Sequence, residues 1–525
     1  MESRNHSFLS DACPGVRLLF SLLLICSVPA YPSKVEQATK IASFMSTLHA
    51  RGQFNGAVLV AARGHIIYRG VLGKANFQTN TDLTPETPFC LASVTKQFTA
   101  MAIMILAEQG KLNYDDPVSK YVQELSRSER TSKFTIRHLL THTSGIPDFG
   151  DLGVDDSHLT KKGLIEVLSQ KESLFSNPGQ KYRYSNPGYV LLAIVAERIS
   201  GHSFSDFLEQ EIFKPLGMSS TFVYDSLLKR NQQAAIGFNQ FGQEDDVQAT
   251  SIPGDGGMYS TVDDLFRWDQ ALYTDILVRQ SALSAAFTPG KVEEGTSTYG
   301  FGWNVGENGS GKYVWHTGST AGFRAFIERR LIERVTVILL TNKGNSKRTE
   351  ICDAILNILS ARPYVMPKMS GAEKMYGTIR KSGIQAATQL YDSLKTSTDY
   401  DLGEFELNTL GYQLLDGDNR VRDAISIFKL NTTNHPTSSN AFDSLAEAYR
   451  KSGADELAIR NYQKAIHLDP TNLHAVAMLK ETEQHRRDRF LLYWAMACVA
   501  LLAAGAAYTF KMWRANRRLG GQNAA

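Results

Sequence analysis

The chain has 525 residues, 43% hydrophobic and 21% charged, with 56 basic and 53 acidic side chains and a formal net charge of +3. This is the balance of a folded globular protein with room for two or three domains, and it argues against a nucleic-acid partner. The five cysteines do not make a disulfide framework: Cys13, Cys26 and Cys498 fall in terminal apolar segments, leaving Cys90 and Cys352 as buried free thiols.

Arg17 precedes an apolar run from Leu18 to Val28, too short to cross a bilayer comfortably. Val28 and Ala30 put small residues before a cut that would make Tyr31 the first mature residue. Residues 1–30 are therefore expected to be a secretory signal peptide, with an uncleaved anchor as the alternative. Residues 34–51 have the pattern of an amphipathic helix. The runs 55–62 and 65–70 flank Arg63-Gly64 and predict a β-hairpin.

Ser93 opens a run containing Phe98, Met101, Ile103, Met104, Ile105 and Leu106 that is apolar nearly all round, as a buried helix should be. Three residues along a helix is about one turn, which places Lys96 beside the Ser93 hydroxyl. Ser-x-x-Lys is a weak signal by itself, and Ser226 to Lys229 and Ser426 to Lys429 also match it. Ser226 lies in a polar stretch, however, and Ser426 inside a repeat helix. Two further motifs, Tyr184-Ser185-Asn186 and His316-Thr317-Gly318, give Ser93 the partners that the other two serines lack.

Residues 93–290 read as mainly helical. More strands follow at 313–317, 323–327 and 335–340, then a helix at about 347–361. The expected fold is α/β (α+β): an antiparallel sheet built from both ends of the domain, flanked by helices, with an inserted helical lobe. Pro363 and Pro367 mark a linker, and helices at 372–381 and 384–395 should form a pair, so that 362–400 is linker and helical pair.

Beyond it Ala424, Phe428 and Pro436 recur 34 residues on as Ala458, Tyr462 and Pro470. Leu410, Gly411 and Leu414 recur 35 on as Leu445, Ala446 and Tyr449, the added residue falling in the turn 416–419. That period, with small residues at helix crossings, is the signature of tetratricopeptide repeats, which are expected over 401–486 with a capping helix at 471–486. A protein partner for them is expected, or else a role as spacer. Residues 490–510 are apolar and uncharged and long enough for one transmembrane helix. Flanking arginines and lysines are too balanced to orient it. With an exported 31–489 the tail, 511–525, would be cytoplasmic and the catalytic domain extracytoplasmic, on the periplasmic side.

A serine hydroxyl needs a base within hydrogen-bond reach, and Lys96 and Tyr184 are the candidates. Here the chain resembles the serine β-lactamase and DD-peptidase superfamily, in the branch with a Tyr-x-Asn second motif. The resemblance covers about 34–361 and extends to the stretches 135–145, 184–189, 256–265 and 299–303. It implies that Ser93 is acylated, Lys96 takes its proton, and Tyr184 serves the leaving group and the deacylating water. It also implies that Asn186, His316, Thr317, Gly318 and Ser319 bind substrate, with the backbone N–H groups of Ser93 and Ser319 as the oxyanion hole.

Histidine at 316, where β-lactamases of this branch usually carry lysine, points toward DD-peptidases, D-amino-acid peptidases and esterases. If His316 holds a substrate carboxylate in lysine's place, it must be cationic; otherwise it is neutral and bonded within the motif. His138 and His142 read as structural, and Trp303, Trp315 and Phe323 as packing residues or cleft lining. No His-x-His-x-Asp pattern calls for zinc, and no cofactor is expected.

The resulting expectation is an exported, membrane-anchored serine hydrolase acting on a small-molecule or peptide substrate. A D-alanyl-D-alanine carboxypeptidase-like enzyme or D-amino-acid peptidase leads, with carboxylesterase, amidase and β-lactamase as alternatives. A non-catalytic sensor or scaffold using the repeats is the alternative of another class.

Overall fold

Six strands drawn from both ends of the first 361 residues make one antiparallel sheet. The computed structural model describes residues 33–127, 132–152, 159–170, 175–224, 233–246 and 252–520; the expected signal peptide and Ser226 lie outside them. Strands β1 (Gly56–Ala62) and β2 (His65–Leu72) form the N-terminal hairpin. Its turn residues Arg63 and Gly64 both have positive φ (52° and 78°), as a two-residue turn matching the strand twist requires. Strands β3 (Asn304–Asn308), β4 (Gly311–Thr320), β5 (Phe323–Arg330) and β6 (Val335–Thr341) follow, and the order across the sheet is β2-β1-β6-β5-β4-β3. The last strand thus inserts beside the first.

Alternation along β1 decides what covers each face. Val58 and Val60 pack with Ile41, Phe44 and Leu48 of helix α1 (Lys34–Ala50), and with Ile351 and Ile355 of a later helix, Arg348–Leu359. Ala57, Leu59 and Ala61 face the larger core, which contains Phe98, Ile103 and Leu106 of α2 (Lys96–Glu108) and Leu191 and Ile194 of α3 (Asn186–Ser200). Helix α3 has local start and stop signals. The Ser185 side chain accepts from the Gly188 N–H, Pro187 sits in the first turn, and Gly201 ends the helix at φ 75°. On β5, Arg329 forms a fully buried ion pair with Asp269 of the helix Val262–Ala271. Cys90 and Cys352 are buried free thiols, and burial pushes Cys90 up to about 12.

Counting Arg348–Leu359 as α4, the C-terminal region is helical. Helix α5 (Gly371–Lys395) breaks at Gly383 (φ 83°), so its two arms stand where two helices were expected. Then come α6 (Glu404–Tyr412), α7 (Val421–Asn434), α8 (Ser439–Lys451) and α9 (Asp455–Leu468), around a core that includes Leu410, Phe428, Ala446 and Tyr462. A Cβ on Gly411 would come within 2.3 Å of the Phe428 ring, so α6 and α7 cross there only because the residue is glycine. A π-helical turn, Gln413–Gly417, follows α6.

Capping helix and apolar span are not separate but one helix of 48 residues, α10 (Leu473–Gly520). Arg486, Arg487 and Arg489 are strong helix formers, and no proline or glycine interrupts the chain before Gly505. From Phe490 onward its large apolar side chains are exposed, and the helix is long and apolar enough to cross a membrane.

The helical region packs directly on the sheet domain. Lys343 pairs with Glu373 (3.2 Å) and Lys347 with Asp401 (2.6 Å). Gln413 donates to Gln243 (2.7 Å), and the Phe241 ring lies 4.7 Å from that of Tyr376.

Candidate active site

Ser93 lies in a tight turn, Ala92–Thr95, that runs straight into α2. Ala92 holds φ 47°, a costly conformation for alanine directly before the candidate nucleophile. The third motif comes to the same turn from β4. His316, Thr317, Gly318 and Ser319 pair on one side with Ile327, Phe326, Ala325 and Arg324 of β5. On the other side the ladder to β3 ends at Trp315, so β4 is an edge strand only from His316 onward. A Cβ on Gly318 would stand 2.1 Å from the Leu91 carbonyl oxygen. Glycine there lets the motif lie against the serine turn.

Lys96 is completely buried. Its Nζ lies 3.2 Å from Ser93 Oγ, 2.7 Å from Asn186 Oδ1 and 2.8 Å from the Asp255 carbonyl oxygen. Three neutral acceptors use the three protons of an ammonium. An amine at this position would have two protons and a lone pair to share among the same three groups. At 3.2 Å from Ser93 Oγ, the lysine is placed for a proton transfer with that hydroxyl.

Asn186 is bonded inside the protein at both ends of its amide. Its amide oxygen holds Lys96, while its Nδ2 donates to Asp148 Oδ2 (3.2 Å) and its backbone N–H to Asp148 Oδ1 (2.9 Å). Both ends of the amide are engaged within the protein, which leaves one N–H for any substrate. Tyr184, just before α3, brings its ring centroid within 4.8 Å of Lys96 Nζ. Its ring lies 4.3 Å from that of His142.

The surroundings of His316 favour its neutral form. It is 2% exposed, and burial, followed by the charge of Lys96, pulls its pKa down to about 3. Nδ1 donates to the Thr317 carbonyl oxygen at 2.7 Å, so Nε2 accepts from the Tyr299 hydroxyl, also at 2.7 Å. Burial and these two internal bonds fit the neutral reading of this residue, with both ring nitrogens bonded inside the protein. A permanent cation stands nearby instead. Arg348, half-buried at the start of α4, donates from Nη2 to Ser319 Oγ at 2.7 Å. Burial and Arg324 lower its pKa only to about 10. Its Nε is buried without a hydrogen-bond partner.

The structure therefore gathers Ser93, Lys96, Tyr184, Asn186 and the third motif into one site. Asp148, the Asp255 carbonyl, His142, Tyr299 and Arg348 were not assigned to it from sequence. Two of them, His142 and Tyr299, lie in stretches whose likeness to the family was the available signal. Trp303 and Phe323 are core residues, and Trp315 stacks on Tyr313. Among the described residues no cluster suited to a metal ion occurs.

A helix-covered antiparallel sheet with a Ser-x-x-Lys pair opening its central buried helix is the β-lactamase/transpeptidase-like architecture. Residues 41–360 match the Beta-lactamase family model, and the chain belongs to that family. It is 34% identical over 365 residues to penicillin-binding protein 4* of Bacillus subtilis, across 65% of this chain and 80% of that protein. Among solved structures, the octameric penicillin-binding protein homologue from Pyrococcus abyssi superposes with a TM-score of 0.55 at 27% identity, over 66% of this chain and 81% of that one. A penicillin-binding protein from Bacillus halodurans gives 0.54 at 26% identity, over 61% and 98%.

Proposed function

We propose that this chain is an exported, membrane-anchored serine hydrolase of the Tyr-x-Asn branch that works through an acyl-enzyme on Ser93. The observation that carries this reading is Lys96 Nζ, buried, 3.2 Å from Ser93 Oγ and held by two further neutral acceptors. Lys96 takes the hydroxyl proton as Oγ attacks the scissile carbonyl. The N–H groups of Ser93 and Ser319 hold the oxyanion. On collapse the C–N bond breaks, and the amine leaves with a proton delivered through Tyr184. Water, deprotonated through Tyr184, then cleaves the ester and frees Ser93.

Arg348 on Ser319 favours a substrate with a free carboxylate beside the scissile bond. A D-alanyl-D-alanine carboxypeptidase-like or D-amino-acid peptidase activity fits better than hydrolysis of neutral esters. The catalytic unit is 31–361, and helices α6 to α9, with the 34-residue period and Gly411 at a crossing, are read as tetratricopeptide repeats within 401–486. The span 490–510 would leave the catalytic domain outside and the tail 511–525 inside.

Incubation of the full chain with a fluorescent penicillin, followed by peptide mapping, is expected to place the adduct on Ser93. The Ser93→Ala variant should not label. An adduct that persists in that variant overturns the mechanism. A panel of D-alanyl peptides, neutral esters and β-lactams then separates the substrate classes.

A further inference from the structure

Tyr184 lies in an irregular stretch before α3, outside any helix or strand ladder. His142 reaches it from three sides. The N–H of Arg183, the residue before, donates to the His142 carbonyl at 2.9 Å. The N–H of Ser185, the residue after, donates to His142 Nδ1 at 3.1 Å. Between these two bonds the imidazole lies against the tyrosine, with centroids 4.3 Å apart and planes inclined by 36°. One residue grips the peptide on both sides of Tyr184 and its ring.

The same imidazole lies 4.6 Å from the ring of Tyr299, whose hydroxyl bonds His316 of the third motif. The second and third motifs are thus joined through Tyr184, His142, Tyr299 and His316. His142 is 1% exposed and holds φ 55°, a conformation rare outside glycine. Its pKa is pushed well below the usual histidine range by burial, then by the charge of Lys96, which favours the neutral ring. With Nδ1 accepting, the proton sits on Nε2, which is buried without a hydrogen-bond partner. A residue needed only to fill space would require neither the acceptor nor this backbone conformation.

We propose that His142 is a positioning residue of the active site, setting the angle of Tyr184 above Lys96 and coupling it through Tyr299 to the third motif. The inference rests on the reading of Tyr184 as proton carrier, and it predicts that His142 acts only through Tyr184.

The test uses the full chain and a fluorescent penicillin, measuring the maximal acylation rate and the half-saturating concentration separately. His142→Leu is expected to lower the maximal rate roughly 10- to 100-fold and to leave the half-saturating concentration within about threefold. Asparagine tolerates the left-handed backbone and carries its oxygen near the Nδ1 position, so His142→Asn should recover most of the rate. His142→Gln, whose oxygen falls near Nε2, should be as slow as leucine and replaces it if the leucine variant does not fold. On a Tyr184→Phe background, His142→Leu should cost less than about twofold more. Wild-type acylation by a folded His142→Leu, an asparagine variant as slow as leucine, or fully multiplicative losses in the double variant would each overturn the proposal. If Tyr184→Phe itself acylates at the wild-type rate, the reading of Tyr184 falls. If Tyr184→Phe is slow and His142→Leu is not, the positioning role alone falls.

Discussion

Acid should destabilise this protein in a way traceable to His316. The imidazole is held neutral between the Thr317 carbonyl and the Tyr299 hydroxyl, with its pKa lowered from 6.5 to about 3. Between those two pH values the unfolded chain binds a proton at this position and the folded chain does not. The contribution is therefore fully present above pH 6.5 and is lost progressively as pH falls toward 3. The slope inside the window is about 1.4 kcal/mol per pH unit, so acidification from pH 6.5 to 4.5 should remove roughly 2–3 kcal/mol through this residue alone. In His316→Gln the amide oxygen can still accept from Tyr299, and the position cannot titrate. Urea unfolding of detergent-solubilised full chain at steps from pH 7.5 to 4.5 would read the effect, because titrations remote from position 316 are common to both proteins, while His142, which lies close enough to sense a charge there, is followed in a matching His142→Asn pair. The stability difference should shift in favour of the variant as pH drops and be flat above pH 7. A difference independent of pH, or a wild type relatively stabilised by acid, would refute the neutral assignment and revive the cationic one.

Three further outcomes follow from the geometry. Gly318→Ala would drive a Cβ to 2.1 Å from the Leu91 carbonyl and push β4 off the serine turn, so a folded variant should lose penicillin labelling by more than about 100-fold. Arg348→Gln should raise KM for D-alanine-terminated peptides about 10- to 100-fold, as expected for losing a charge-assisted hydrogen bond, and leave neutral esters within about threefold. Asp269→Asn would strand the fully buried Arg329 and should cost about 3–5 kcal/mol, seen as a lower urea midpoint without a matching loss of labelling in the protein that remains folded.

The parts of the site set by local spacing were readable in advance, and the parts set by the fold were not. Ser93 and Lys96 meet because three residues make about one helical turn, and the Arg63-Gly64 turn follows from its flanking apolar runs. The acceptors that aim Lys96 come from Asn186 and the Asp255 carbonyl, 90 and 159 positions away in sequence. No pattern at that separation encodes a distance. Arg348 went unassigned for the same reason, and His142, though it lies in a family-like stretch, was read as structural because its contacts with residues 183–185 are set by the fold. The charge state of His316 was open because it depends on Tyr299 closing over Nε2, which only the packed sheet decides. At the C-terminus, the charged stretch before Phe490 resembles a boundary in composition, yet every residue in it is compatible with a helix, and the helix continues.

That continuity has a mechanical consequence. From Leu473 to Arg489 the helix rises about 25 Å at 1.5 Å per residue before its apolar half begins. Over that length Arg450 pairs with Glu481, Glu456 with Arg486, and Asp455 with Arg489. The pairs Lys343–Glu373 and Lys347–Asp401 tie the helical region in turn to the sheet domain. In the anchored protein proposed above, the catalytic head would stand on a mast and not on a tether. It would sweep a plane at one height above the bilayer, and a substrate held nearer or farther would be out of reach whatever its affinity. One inserted helical turn near residue 489 would raise that plane by about 5.4 Å, while a short glycine-rich insertion would turn the plane into a volume.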